Sequence, residues 1–150
     1  MNCSGLVPKL NFEIEKNTQK LVHDAIKVKL LGAVNDCSKG GFINSLSQMC
    51  MAGNIGVTVD TSKILTSCKR WDDVLFSESH SRFITTIKPE HYTNLLNISR
   101  NYNIPISVIG NVGGDELRII NNDDLIFSSD VNYLSDFVYS SISKLMDDGI

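Results

Sequence analysis

The sequence of 150 residues has little of several features that mark specialised classes of protein. Its 14 lysines and arginines are outnumbered by 17 acidic residues, so the formal net charge is -3 and no basic stripe is present for a nucleic acid. No stretch approaches the roughly 18 consecutive apolar residues of a membrane span. The N-terminus lacks a basic region followed by a hydrophobic one. We therefore expect a cytoplasmic protein with no nucleic-acid and no membrane partner.

The spacing of the four cysteines indicates no cysteine chemistry. Cys3, Cys37, Cys50 and Cys68 match neither a zinc site nor a Cys-x-x-Cys redox pair, so we expect reduced thiols. Cys50 falls in an apolar helix and is expected in the core. Cys37 has no obligatory histidine partner nearby, which makes a nucleophilic role the weaker alternative. The three histidines are scattered, so a metal cluster would require the fold to gather them.

What is present is enough apolar sequence for one core and an alternation of helices and strands. Hydrophobic residues make up 42% of the chain, and no linker, repeat or low-complexity tract divides residues 1–150, which predicts a single domain. The spacing of apolar residues predicts helices at 13–30, 41–52 and 132–146, a helical turn at 72–76 and a helix after Pro89. Asn11 is the expected cap of the first helix, and Gly32 its stop.

Runs of β-branched and aromatic residues predict the strands. They fall at 33–35, 55–60, 82–88, 105–109, 116–120 and 125–127, with a flexible glycine turn at 110–114 that joins two hairpin neighbours. This order predicts an α+β fold with a mixed sheet on which helices pack, partly similar to a ferredoxin-like fold.

The segment between the first predicted strand and the second predicted helix carries the residues most suited to binding or catalysis. Asp36 follows a short apolar strand, and its carboxylate is suited to a hard cation such as Mg²⁺. Ser38, Gly40 and Gly41 then lead into a helix, where a hydroxyl and backbone N–H groups can meet a phosphate. Short strings of this kind also occur where a strand simply turns into a helix, so a purely structural role is the alternative.

This Asp-x-Ser-x-Gly-Gly string resembles an element of the aminoimidazole ribonucleotide synthetase superfamily. Three further stretches follow in the superfamily's order: a helix-to-strand passage at 49–57, a Phe-Ser-Glu-Ser sequence with a later arginine at 75–83, and an Ile-Gly-x-Val turn at 108–114. Together they cover most of the chain from about Val7 onward. The similarity is greatest to the last domain of the phosphoribosylformylglycinamidine synthase family, the glutamine-dependent ligases of purine synthesis.

The resemblance implies a layered α/β/α sandwich with a mixed sheet, and a domain that forms one wall of a nucleotide site. It implies that Asp36 is a magnesium ligand, that Ser38, Gly40 and Gly41 contact the nucleotide, and that ATP or ADP and Mg²⁺ are the cofactors. It also implies partners: the preceding domains of the same synthetase, which are absent from this sequence, a glutaminase subunit that supplies ammonia, and in addition a possible homodimer.

The reaction implied is the ATP-dependent amidation of formylglycinamide ribonucleotide to formylglycinamidine ribonucleotide. We expect the chain to be the C-terminal domain of such an enzyme and to be inactive by itself. Other ATP-using members of the superfamily, namely selenophosphate synthetase, thiamine-monophosphate kinase and the hydrogenase-maturation dehydratase, remain alternatives. A non-catalytic assembly module is a further alternative, because a shared fold does not establish activity.

The sequence departs from the superfamily's pattern at three positions. Asn35 stands where a histidine is usual, Lys39 where a second acid is common, and Ser81 where a glycine precedes the arginine. Asn35 can form hydrogen bonds but has no titratable ring, so an acid–base role at this position is not expected. Lys39 provides no carboxylate for a metal ion and adds a positive charge that can face a phosphate. For Glu78 and Arg82 two interpretations stay open: an edge that faces phosphate or another domain, or an ordinary surface ion pair.

Overall fold

The computed structural model describes residues 9–68 and 70–147, so Cys3 lies outside the described residues. The helices are α1 (Phe12–Lys27), α2 (Gly41–Gly53), α3 (Trp71–Phe76), α4 (Tyr92–Tyr102) and α5 (Val131–Asp147). The strands are β1 (Leu31–Asp36), β2 (Val57–Asp60), β3 (Phe83–Ile87), β4 (Gly110–Val112), β5 (Glu116–Asn121) and β6 (Asp124–Asp130). Short 3-10 turns lie at Thr61–Lys63 and Pro89–His91.

The first helix begins as predicted and ends earlier. The Asn11 side chain accepts hydrogen bonds from the backbone N–H groups of Glu13 and Ile14, which confirms the predicted cap. The helix stops at Lys27 because Lys29 adopts a left-handed conformation and the Leu30 N–H donates back to the Ala25 carbonyl. Leu30 is thereby returned to the core beside Ala25, and so the helix does not extend to residue 30.

The chain divides into two compact units, and the division falls within α2. The first contains the described residues up to Leu46 and Lys63–Val108. In it β1 and β3 form a two-stranded antiparallel sheet that pairs Asp36 with Phe83. A buried cluster in this unit joins α1 to α4 and to the segment before β1, through Leu21, Ala25, Leu30 and Leu95.

The second unit contains Ser47–Ser62 and the described residues from Ile109 onward. Its four-stranded sheet has the order β4-β2-β5-β6, in which β2 and β5 are parallel and the other pairs are antiparallel. Val59, Leu117 and Ile119 are almost fully buried in it, as is Val131 at the start of α5. The prediction of a mixed α+β fold with a mixed sheet is therefore confirmed.

One strand of this sheet lies where the sequence predicted a turn. Residues 105–109 are irregular, and β4 falls instead on Gly110–Val112, where it pairs with β2. The predicted hairpin of a strand at 105–109 with the strand at 116–120 is therefore wrong: β4 precedes β5 along the chain, but β2 lies between them in the sheet. The two backbones approach closely at this pairing: a Cβ on Gly110 would lie 2.0 Å from the Thr58 carbonyl oxygen, so a glycine is required there.

No helix within the described part of the chain combines the length and the apolar character needed to cross a membrane.

Candidate functional site

The loop that joins β1 to α2 presents two unengaged polar side chains. Exposure alternates along it: Asp36 is exposed, Cys37 is buried and Ser38 is exposed again. The Cys37 N–H donates to the Arg82 carbonyl at 2.9 Å, which continues the β1–β3 pairing. Within residues 9–68 and 70–147, neither the Asp36 carboxylate nor the Ser38 hydroxyl has a hydrogen-bond partner. Both groups are therefore available to a ligand.

A buried hydroxyl holds the Asp36 end of this loop. Ser45, in α2, is only 3% exposed, and its Oγ donates to the backbone carbonyl oxygen of Asp36 at 2.6 Å. The Asn35 Nδ2 in turn donates to the Ser45 carbonyl at 3.2 Å. Asn35, which replaces the superfamily's histidine, thus ties β1 to α2. Sequence reasoning missed Ser45, whose signal was a polar residue among the apolar positions of α2.

The two glycines of the motif are required by the backbone. Gly40 and Gly41 have φ angles of +76° and +69°, a region that L-residues with a Cβ rarely adopt. At Gly41 the space is also closed, because a Cβ would lie 2.7 Å from the Ser77 carbonyl oxygen and from the carbonyl carbon of Phe76. The glycine pair therefore allows the chain to turn tightly against the segment after α3.

Both glycine N–H groups already donate to protein acceptors. The Gly41 N–H donates to the Ser38 carbonyl at 3.0 Å, and the Gly40 N–H donates to Oε1 of Glu78 at 2.9 Å. Phosphate contacts through these two N–H groups stay a prediction, and an anion there would have to replace those acceptors. Of the predicted nucleotide contacts, the Ser38 hydroxyl is the one that stands ready.

Of the two interpretations left open for Glu78 and Arg82, the structure does not support the surface ion pair in the described part of the chain. The Arg82 guanidinium donates to the backbone carbonyls of Ser77 and Ser79, while the Glu78 carboxylate accepts from Gly40. In the described part of the chain these two side chains form no ion pair with each other. Arg82 therefore closes its own loop, and Glu78 reaches the first motif.

Ser81 occupies a position where the backbone favours glycine. Its φ is +64°, in the left-handed region, which accounts for the glycine usual in the superfamily. The Ser81 hydroxyl donates to Oε2 of Glu15 at 2.5 Å. This hydrogen bond lowers the pKa of Glu15. Ser81 therefore has two opposing effects on stability: its backbone conformation is unfavourable, and its hydroxyl forms a stabilising hydrogen bond with α1.

Substitutions at Ser81 separate these two effects. Ser81→Ala and Ser81→Gly both lose the bond to Glu15, but only alanine keeps a Cβ in the left-handed region, so it should be less stable than glycine by about 1 kcal/mol. Urea unfolding of the two variants checks this, and equal stabilities would contradict it.

The bond between Ser81 and Glu15 should also make stability depend on pH. Because the pKa of Glu15 is lowered, the bond stabilises the fold above pH 4.5, the ordinary pKa of a glutamate, and this stabilisation is lost as the pH falls through the lowered pKa. The difference between the natural chain and Ser81→Ala should therefore shrink at acid pH.

The motif cysteine is poorly suited to nucleophilic chemistry. Burial raises the pKa of the Cys37 thiol, against an opposing effect of the Arg82 charge, and burial also raises the pKa of Cys50. All three described cysteines are free, and Cys68 is partly exposed.

At neutral pH we expect iodoacetamide to alkylate Cys68 at least about tenfold faster than Cys37 or Cys50. Site-resolved mass spectrometry measures the three rates, and a fast reaction at Cys37 would restore the nucleophile interpretation.

The sequence predicted Asp36 as the metal ligand of this loop. No three histidine, cysteine, aspartate or glutamate side chains gather as a metal site in the described ranges, and so the fold does not bring the histidines together. Mg²⁺ is commonly held by one or two carboxylates together with phosphates and water. An exposed Asp36, whose carboxylate has no partner among the described residues, suits that arrangement as one protein ligand.

The chain is similar to a known domain family and to several proteins that contain this domain. Residues 3–120 match the family described as "AIR synthase related protein, C-terminal domain", and the chain belongs to that family. It is 35% identical over 143 residues to phosphoribosylformylglycinamidine synthase subunit PurL of Alkaliphilus metalliredigens, which covers 95% of this chain and 19% of the relative. PurL of Thermococcus kodakarensis is 34% identical over 142 residues, with the same coverage. The chain thus spans about a fifth of the length of these relatives.

Solved structures show the same fold. PurL of Thermotoga maritima complexed with ATP superposes with a TM-score of 0.77 at 20% identity, over 89% of this chain and 24% of that one. The same protein complexed with FGAR gives a TM-score of 0.72 at 21% identity, over 81% and 21% of the two chains. A HypE–HypF complex gives 0.60 at 15% identity, over 74% and 39%. The resemblance to the superfamily, and within it to PurL, is therefore confirmed.

Proposed function

We propose that this chain is the C-terminal domain of a PurL-type phosphoribosylformylglycinamidine synthase, and that it contributes Asp36 and Ser38 to a magnesium-nucleotide site. The observation that carries the proposal is the pair of exposed, unengaged side chains at the end of β1, on a loop anchored at both ends, within the family's motif. The relatives are named as PurL, and structures of PurL are described as complexes with ATP, ADP and FGAR. The enzyme would be an ATP-dependent carbon–nitrogen ligase of purine synthesis with glutamine as amido donor.

In this proposal the chain binds and orients the nucleotide. The Ser38 hydroxyl donates a hydrogen bond to a phosphate oxygen, and the Asp36 carboxylate supplies one metal ligand. Lys39 is exposed next to them and adds positive charge near the phosphates. When bound, Mg²⁺ would neutralise charge on the phosphates during phosphoryl transfer.

The remaining walls of the site are proposed to come from the preceding domains of the synthetase. Large apolar side chains are left uncovered in both units: Phe12 is 79% exposed, and on α5 Tyr133 and Phe137 are 66% and 64% exposed. Exposed apolar surface of this kind is typical of faces that pack against other domains or chains. A glutaminase subunit that supplies ammonia and a homodimer are further expected partners of the whole enzyme.

The other superfamily enzymes are less well supported as alternatives. The HypE–HypF complex and a thiamine-monophosphate kinase give TM-scores of 0.60 and 0.53, below those of PurL, and the curated relatives quoted above are PurL. The assembly-module alternative predicts a domain that binds its partner without contributing to nucleotide binding. It is distinguished from our proposal by experiment.

The test is ATP-dependent, ammonia-supported amidation of formylglycinamide ribonucleotide by the complete protein, with and without residues 1–150. We expect activity from the complete protein, none after the deletion, and partial recovery when the separate 150-residue chain is added to the shortened protein. Recovery with the natural chain but not with an Asp36→Asn chain would assign the effect to the site. Absence of amidation by a folded, magnesium-supplied complete protein would contradict the proposed function.

The assembly-module alternative gives a different pattern in the same experiment. It predicts complex formation between the chain and the shortened protein, measured by analytical ultracentrifugation, with equal recovery by natural and Asp36→Asn chains. Titration with ADP and Mg²⁺ by calorimetry supplies an independent readout of the nucleotide site.

A further inference from the structure

Glu78 belongs to the second motif along the chain, yet its carboxylate contacts the first. Its Oε1 accepts the Gly40 N–H at 2.9 Å, across 38 residues of sequence. The contact lies within one compact unit, which also contains β1, β3 and the first turns of α2. It therefore links the Asp-x-Ser-x-Gly-Gly loop to the Phe-Ser-Glu-Ser loop.

The start of α2 has a reason to accept this carboxylate. The first turn of the helix contains no acidic side chain, although the N-terminal end of a helix carries partial positive charge from its free N–H groups. Glu78 supplies the missing anion from another part of the chain. It satisfies the Gly40 donor, which precedes the helix by one residue.

The loop that carries Glu78 is itself fixed. The Arg82 guanidinium donates to the carbonyls of Ser77 and Ser79, on either side of Glu78, and the hydroxyls of these two serines lie 2.7 Å apart. Arg82 also accepts the Cys37 N–H through its own carbonyl. Glu78 thus extends from a closed turn that is hydrogen-bonded to the first motif on the other side.

We propose that Glu78 is a positioning residue that holds the Asp36–Gly41 loop in its nucleotide-binding conformation, an inference that rests on the proposed function for its ligand. Ser45 holds the Asp36 end through its bond to that residue's carbonyl, and Glu78 holds the Gly40 end. Asp36 and Ser38 lie between these two anchors with their side chains exposed. Loss of Glu78 frees one end of the loop and lowers affinity without removing any ligand-contacting group.

The first readout is the hydrogen exchange of the Gly40 amide in the complete protein, resolved by mass spectrometry with fragmentation of peptides spanning 37–42. Glu78→Ala should speed this exchange about fivefold, the effect of losing one partly exposed hydrogen bond. Glu78→Gln keeps an oxygen that can accept the N–H and should change it less than about twofold. Glu90→Ala removes another exposed carboxylate of the same unit and serves as the matched control.

The second readout is the affinity for ADP with Mg²⁺, measured by calorimetry on the same proteins. Glu78→Ala should weaken binding about threefold to tenfold, with recovery in Glu78→Gln and no change in Glu90→Ala. Unchanged Gly40 exchange in Glu78→Ala would overturn the proposal. Tighter nucleotide binding in both Glu78 variants would also overturn it, since Glu78 would then compete with phosphate for the loop. If exchange responds as expected but the natural protein binds no nucleotide, the anchoring contact stands and the proposed function fails.

Discussion

Asp36→Asn in the complete protein is expected to weaken magnesium-dependent nucleotide binding by about tenfold to a hundredfold and to leave folding unchanged. An amide has nearly the same shape as a carboxylate but lacks the charge that a hard cation requires. Within the described residues the Asp36 side chain makes no hydrogen bond or ion pair, so its replacement breaks no internal contact. Calorimetric titration with ADP, in the presence and absence of Mg²⁺, measures the effect.

The magnesium dependence makes this result specific. The natural protein should bind ADP more tightly with Mg²⁺ than without it, and Asp36→Asn should lose most of that difference. Asp123→Asn, an equally exposed change in the β5–β6 turn, is the matched control and should behave like the natural protein. Ser38→Ala should weaken binding by a smaller factor, about threefold to tenfold, with and without magnesium. Unchanged binding in Asp36→Asn would remove Asp36 from the site.

Gly41→Ala is expected to destabilise the chain by about 2–4 kcal/mol, because strain and a steric clash act together. The φ of +69° is unfavourable for alanine, and the added Cβ would lie within 2.8 Å of backbone atoms of Leu75, Phe76 and Ser77. Backbone atoms cannot move aside as a flexible side chain can, so α2 and the segment after α3 would have to separate. Urea unfolding, followed by the fluorescence of the single tryptophan, Trp71 in α3, reports the change.

Gly114 offers the matched comparison for the steric part of this effect. It has a φ of +74° but no atom within 4 Å of the position of a Cβ. Gly114→Ala should therefore cost only the conformational strain, about 1 kcal/mol. Equal losses in the two alanine variants would show that the close packing at Gly41 contributes nothing to stability.

The elements that local sequence predicts well are those whose signals lie within a few residues. Capping and apolar spacing predict the Asn11 cap, the range of α2 and the range of β5. The structure confirms all three to within one residue. The strand predicted at 105–109 was wrong because a β-branched run does not by itself provide a pairing partner. The strand that pairs with β2 falls instead on residues 110–112, where Gly110 approaches Thr58 closely, and no local pattern indicates this partner.

The candidate site shows the same distinction between local and distant information. Asp36, Ser38 and the two glycines could be selected from one short string, because residue type and spacing suggest their chemistry. The sequence left two interpretations open for Glu78 and Arg82, because it does not show that the Glu78 carboxylate accepts the Gly40 N–H from another segment. Ser45 was missed for a similar reason: its acceptor is the backbone of another element.

Residue order and short-range spacing were enough to predict the family, the alternation of helices and strands, and the positions of the residues with chemistry. Which groups of the motif remain exposed depends on contacts between segments that are distant in the sequence. The fold engages the N–H groups of Gly40 and Gly41 with Glu78 and Ser38 and leaves the side chains of Asp36 and Ser38 exposed. A hydrogen bond forms between groups that are close in space. The bond between Gly40 and Glu78, which are 38 residues apart in the sequence, therefore requires that the intervening segment be folded.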